Sequence, residues 1–182
     1  HFVSKEAFNI DGLGKKIIEN FWSQKLIRLP QDIFDLNYSE IEKLDGWGKL
    51  STTNLKFSIN QKKQISLERF IFSLGIRHIG QENGKLIARH LKSSLNFLKL
   101  SENNNIDNLS NIDGIGPTQI QSIKNFFLNK TNLNVIFELN KKLSIANAVS
   151  MNNEGLLKNK TFMLTGKLNG ISRAEAKSLI EQ

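Results

Sequence analysis

Short apolar runs at helical spacing alternate along this chain with glycine-centred breaks. Ile17, Ile18, Phe21 and Trp22 fall on one helical face, Leu86, Ile87, His90 and Leu91 on a second, and Ile123, Phe126, Phe127 and Leu128 on a third. Val135, Ile136 and Leu139 stripe a helix predicted over 132–143, and Phe70, Ile71 and Leu74 lead into the third break. Leu55, Phe57 and Ile59 follow the second break at a more ragged spacing. The phenylalanines in these runs read as core residues, not as platforms for stacking bases. Pro30 interrupts the chain before a short helical piece at 33–36, and the polar runs 51–54 and 101–105 read as connectors.

The breaks themselves repeat. NIDGLGKKII (9–18), KLDGWGKLST (43–52), GIRHIGQENG (75–84) and NIDGIGPTQI (111–120) share a Gly-apolar-Gly core, with His78 in place of the first glycine in the third, and the second glycine is Gly14, Gly48, Gly80 or Gly116. A period of about 34 residues also suits a tetratricopeptide array, but such repeats do not place this core in every turn. A helix-hairpin-helix does need it. The glycines permit a tight turn with positive φ angles. The N–H groups of the turn and of the next helix's first turn then face outward and, with the helix macrodipole, suit a phosphate. The expected architecture is mainly α: four helix-hairpin-helix motifs in one domain over 1–143.

Charge narrows the ligand. With 182 residues, a formal net charge of +8 and a pI near 9.7, the chain favours an anionic partner such as nucleic acid. It has no cysteine, hence no disulfide and no thiolate metal site. No apolar run approaches the ~18 residues that span a bilayer. The start, HFVSKEAFN, lacks an export pattern, so a cytoplasmic location is expected.

Each turn offers backbone donors, so contact would be largely independent of base sequence. The expected DNA-binding residues are Gly12, Leu13, Gly14, Lys15 and Lys16 at the first turn, and Gly46, Trp47, Gly48 and Lys49 at the second. At the third they are Arg77, His78, Ile79, Gly80, Gln81 and Asn83; at the fourth, Gly114, Ile115, Gly116, Pro117, Thr118 and Gln119. Lys15 and Lys16 read as phosphate ligands or as solvated helix charges. Arg77 is the best-placed cation for a charge-assisted phosphate bond, or alternatively braces its turn through carbonyls. Trp47 reads as an apolar tip packing into the domain or against the minor-groove wall. His78, which replaces a glycine, has no Ser, Cys or paired carboxylate near it in sequence and reads as structural or DNA-contacting rather than as a general base. His1, His78 and His90 lack metal-ligand spacing, and Asp11, Asp45 and Asp113 read as turn-bonding residues. No catalytic or metal site is expected in this chain.

Beyond residue 143 the character changes. A linker is expected over 144–156, a β-strand over 157–168, and a helix opened by a capping box of Ser172 and Glu175. Strand, turn and helix would begin an α/β unit. The chain starts at His1 and stops at Gln182 inside an amphipathic pattern, so we expect a piece of a longer protein.

HFVSKEAFNIDGLGKK, FIFSLGIRHIGQENGKLIARHL, NIDGIGPTQIQSIKNFF and KTFMLTGKL, in this order, resemble the C-terminal half of bacterial NAD-dependent DNA ligases over essentially the whole chain. GIRHIG and DGIGP carry most of the specificity; Gly84 and Ile120 stand where that family often has alanine. The resemblance implies a tetrad of helix-hairpin-helix motifs, then a BRCT domain begun at about residue 157 and cut short. It implies preceding nucleotidyltransferase, OB and four-cysteine zinc-finger domains that carry the catalytic lysine. It also implies NAD, Mg2+ and a structural Zn2+ for the parent protein, with none in this piece. The implied substrate is nicked double-stranded DNA, bound by a monomer associated with the nucleoid. Two readings compete. A non-catalytic repair or recombination scaffold would share the hairpins but not the KTFMLTGKL segment. A base-excision glycosylase would need a carboxylate beyond one hairpin, and PTQIQSIKNFF after Gly116 has none.

Overall fold

A helix forms wherever an apolar stripe of 3.6-residue period follows one of the glycine turns. The computed structural model describes residues 1–102, 105–148, 162–164 and 170–180. In order these hold α1 (Lys15–Ser23), α2 (Tyr38–Ile41), α3 (Lys49–Gln61), β1 (Gln64–Ser66), α4 (Leu67–Ser73), α5 (Gln81–Leu91) and α6 (Ser94–Leu98). Then come α7 (Pro117–Leu128), α8 (Lys130–Lys142), β2 (Ser144–Ala146) and α9 (Arg173–Ile180), with 3-10 turns at Pro30–Asp35, Lys99–Ser101 and Asn105–Asn111.

Equivalent positions of the helices after the turns build the core. Phe21, Leu55, Ile87 and Ile123 each lie about two helical turns beyond a second glycine, and all four are buried. α3 is regular despite its ragged pattern, because Thr52, Leu55 and Ile59 form the inward stripe. The run 51–54, expected as a connector, is therefore the first part of a helix, and Phe57 lies 65% exposed on its outer side instead of in the core. Trp22 is likewise exposed, with the Arg28 guanidinium 4.8 Å above its ring. α4 and α5 lie close together at Gly84, where a Cβ would come 3.2 Å from the Glu68 carbonyl oxygen; that closeness favours a residue smaller than alanine. The resulting core is continuous from Phe8 to Leu143.

A short parallel pair closes the body. Gln64, Ile65 and Ser66 register with Ser144, Ile145 and Ala146. The linker expected to start at 144 thus begins with a strand. Most of 157–168 lies outside the described residues; within it, 162–164 form no strand pairing. The capping box is present: Glu175 N–H donates to Ser172 Oγ at 3.1 Å, and Ser172 N–H to Glu175 Oε2 at 2.6 Å.

Candidate nucleic-acid interface

One backbone geometry recurs at the four glycine turns. The first position of each core lies in the left-handed region: Gly12 at φ +85°, Gly46 at +77°, His78 at +62° and Gly114 at +91°. The apolar residue that follows donates its N–H to the carbonyl three residues back: Leu13 to Ile10, Trp47 to Leu44, Ile79 to Ile76 and Ile115 to Ile112. The second glycine is extended and N-caps the next helix, with ψ of 170°, 178°, −173° and −178° at Gly14, Gly48, Gly80 and Gly116. Only the first position therefore requires a left-handed residue; the expectation that both glycines supply positive φ is corrected.

The apolar residues are turned inward. Leu13, Ile79 and Ile115 are buried, and Trp47, half-buried, packs on Phe21 with ring centroids 5.4 Å apart. With their amides engaged and their apolar side chains packed, these four shape the turns and offer a ligand no free backbone donor. Trp47 thus packs into the domain.

The second glycines present a different surface. Their φ angles suit any residue, and a Cβ built on Gly14, Gly48 or Gly80 would meet nothing within 4 Å. Lacking a side chain, none can cap its helix. The first-turn N–H groups of α1, α3, α5 and α7, which a helix cannot satisfy internally, gather beside these bare positions. Two turns partly satisfy their own: Gly48 N–H donates to Ser51 Oγ at 2.9 Å and Gly116 N–H to Gln119 Oε1 at 3.2 Å, while Pro117 has no N–H to offer.

Around these turns the polar residues divide by role. Lys15, Lys16, Lys49, Arg77, His78, Gln81, Pro117 and Thr118 are exposed. Lys15 pairs loosely with Glu19 at 3.8 Å, both well solvated, which is worth little. Arg77 and Lys49 have no side-chain partner among the described residues. Asn83 and Gln119 are committed elsewhere: Asn83 Nδ2 donates to the His78 carbonyl at 3.0 Å, and Gln119 holds Gly116. Both therefore brace their turns, while one Asn83 Nδ2–H and the Gln119 NH2 remain as donors beside them. Two further groups escaped the sequence reading. Lys62 and Arg69 pair with Glu175, and no local pattern marks contacts so distant in sequence.

Among the described residues, no group of three His, Cys, Asp or Glu side chains could hold a metal ion, and no helix is long and apolar enough to cross a membrane.

Residues 69–136 match the family model of the helix-hairpin-helix motif. The chain is 76% identical over 182 residues to a DNA ligase of Pelagibacter ubique, covering all of this chain and 27% of that protein. It is 41% identical over 194 aligned positions to the DNA ligase of Rickettsia massiliae, and 40% identical to that of Rickettsia typhi, covering 28% of each. The chain thus spans little more than a quarter of the length of the curated relatives it matches.

Proposed function

We infer that this chain is the DNA-gripping segment of a DNA ligase, the protein it matches along its whole length. The four glycine turns act as helix-hairpin-helix motifs, each holding a backbone phosphate of duplex DNA by amide donors at a helix start, without reading bases. Lys15, Lys16, Lys49 and Arg77 add charge at the first three turns. The parent enzyme, by resemblance NAD-dependent, seals single-strand nicks by joining a 5′-phosphate to a 3′-hydroxyl during replication and repair. Its adenylated lysine, NAD and Mg2+ belong to the parts that precede this chain. So does the structural Zn2+, since a four-cysteine site has no counterpart in a cysteine-free chain. The residues beyond 157 are the opening of a BRCT domain.

One observation carries this reading. Gly14, Gly48 and Gly80 are glycines that neither their own φ angles nor their neighbours require. A bare backbone beside free helix-start amides suits close approach by an external anion. The test is Gly80→Val, compared with wild type for binding to a nicked duplex. The variant should fold unchanged by circular dichroism yet bind about tenfold more weakly, the effect of losing one or two charge-assisted hydrogen bonds. Equal binding by the folded variant would make the third turn a packing element.

A further inference from the structure

The Glu175 carboxylate joins three segments that are far apart in sequence. Its Oε1 lies 2.6 Å from Lys62 Nζ, at the C-terminal end of α3, and 3.5 Å from Arg69 Nη1 in α4. Its Oε2 accepts from Asn9 Nδ2 at 3.0 Å. The side chains are 18% exposed at Glu175 and Lys62 and 9% at Arg69, so the cluster is largely screened from water. An exposed ion pair would be worth little, but a shared and mostly buried carboxylate facing these three side chains, besides the Ser172 N–H, is not of that kind.

Two of the partners also hold the approach to the first glycine turn. Arg69 donates to the Ala7 carbonyl through Nε and Nη2, and to the Lys5 carbonyl through Nη2. Asn9, at φ +51°, is where this segment bends into the turn that ends at Gly14. Apolar contact accompanies the polar cluster: Ala176 of α9 is buried, and Ile171 and Leu179 line one cleft with Phe8 and Ile65.

The geometry points to a role for Glu175 beyond capping its own helix: it seats α9 on the helical body and, through Asn9 and Arg69, braces the first glycine turn. The position of α9 and the order of the segment from Lys5 to Gly14 are then coupled. Glu175→Gln isolates this role. The amide still accepts from the α9 backbone, so the cap and the helix survive, but it loses its attraction for two cations and turns an NH2 toward groups that are already donors.

The test is hydrogen exchange read by mass spectrometry on the full-length protein, which involves no DNA and is independent of the DNA-binding reading. In Glu175→Gln, amides of α9 and of residues 5–14 should exchange faster together, by about tenfold or more, the effect of losing a hydrogen-bonded buried charge pair. Amides at 112–120 should not change. Lys62→Met, which leaves the capping box intact, should reproduce the pattern and decides the matter if the glutamate variant fails to fold. Unchanged exchange in α9, or faster exchange in α9 with residues 5–14 unaffected, overturns the proposal.

Discussion

Gly114 backs directly onto Leu86: a Cβ at this glycine would lie 3.1 Å from Leu86 Cδ1. The fourth turn thus rests on the helix that follows the third, as Gly12 of the first turn faces Leu55 of the helix after the second, at 3.7 Å. Trp47 of the second turn returns the contact on Phe21 of the first helix. The first and second turns thus each pack against the other's helix, and the fourth turn packs against the helix after the third.

Gly114→Ala should destabilise the protein. Its φ of +91° suits no L side chain, costing about 1–2 kcal/mol before the contact with Leu86 is counted. For a chain of this size that lowers Tm by about 2–8 °C in thermal unfolding. His78→Gly is the complement, because His78 holds φ +62° without being glycine and its brace from Asn83 uses only the backbone carbonyl. Relief of strain offsets the greater freedom of glycine in the unfolded chain, so Tm should stay within about 3 °C of wild type. A fall as large as that of Gly114→Ala would mean that the imidazole itself holds the turn.

Binding of duplex DNA should depend steeply on salt. Each phosphate neutralised by a cation contributes about −0.9 to the slope of log affinity against log salt, which for the cations around the turns gives roughly −3 to −5. Arg77→Gln and Lys49→Gln should each flatten the slope by about one. Gly80→Val should lower affinity and leave the slope alone, since amide donors release few counterions. Fluorescence anisotropy across a salt series separates the two; a slope insensitive to both cation changes would place the contacts elsewhere.

Incubation of the 182-residue chain with radiolabelled NAD should leave it unlabelled, because the adenylated lysine is assigned to preceding domains. An AMP adduct on this chain would overturn that assignment.

Stability should show a Glu175-dependent loss in acid. Burial acts to raise the carboxyl's pKa, but the Lys62 hydrogen bond, the Ser172 amide and the charges of Arg69 and Lys62 outweigh it, so the net shift is downward. A carboxylate depressed by folding contributes stability above its unfolded pKa and loses it as pH falls through the lower folded value. The difference in Tm between wild type and Glu175→Gln should therefore be full near pH 7 and shrink below about pH 4, where the ordinary glutamate protonates. A difference that does not vary with pH would show that charge is not what the carboxylate contributes.

What the sequence determined by itself is local. The glycine turns, the helices after the first, third and fourth of them and the capping box of Ser172 and Glu175 depend on a few neighbouring residues, so period and glycine placement sufficed to read them, whereas the start of α3 at 51–54 did not show in its pattern. Even there, which glycine of each pair is left-handed had to come from the folded backbone, since glycine tolerates both conformations. Tertiary structure alone decided the rest. Three-residue strands such as Gln64–Ser66 and Ser144–Ala146 carry no usable period and exist only because packing brings them side by side. Phe57 faces water because Thr52, Leu55 and Ile59 take the inward stripe. Glu175 meets Asn9, Lys62 and Arg69 because the core fixes where their backbones lie, and no spacing along the chain encodes that meeting.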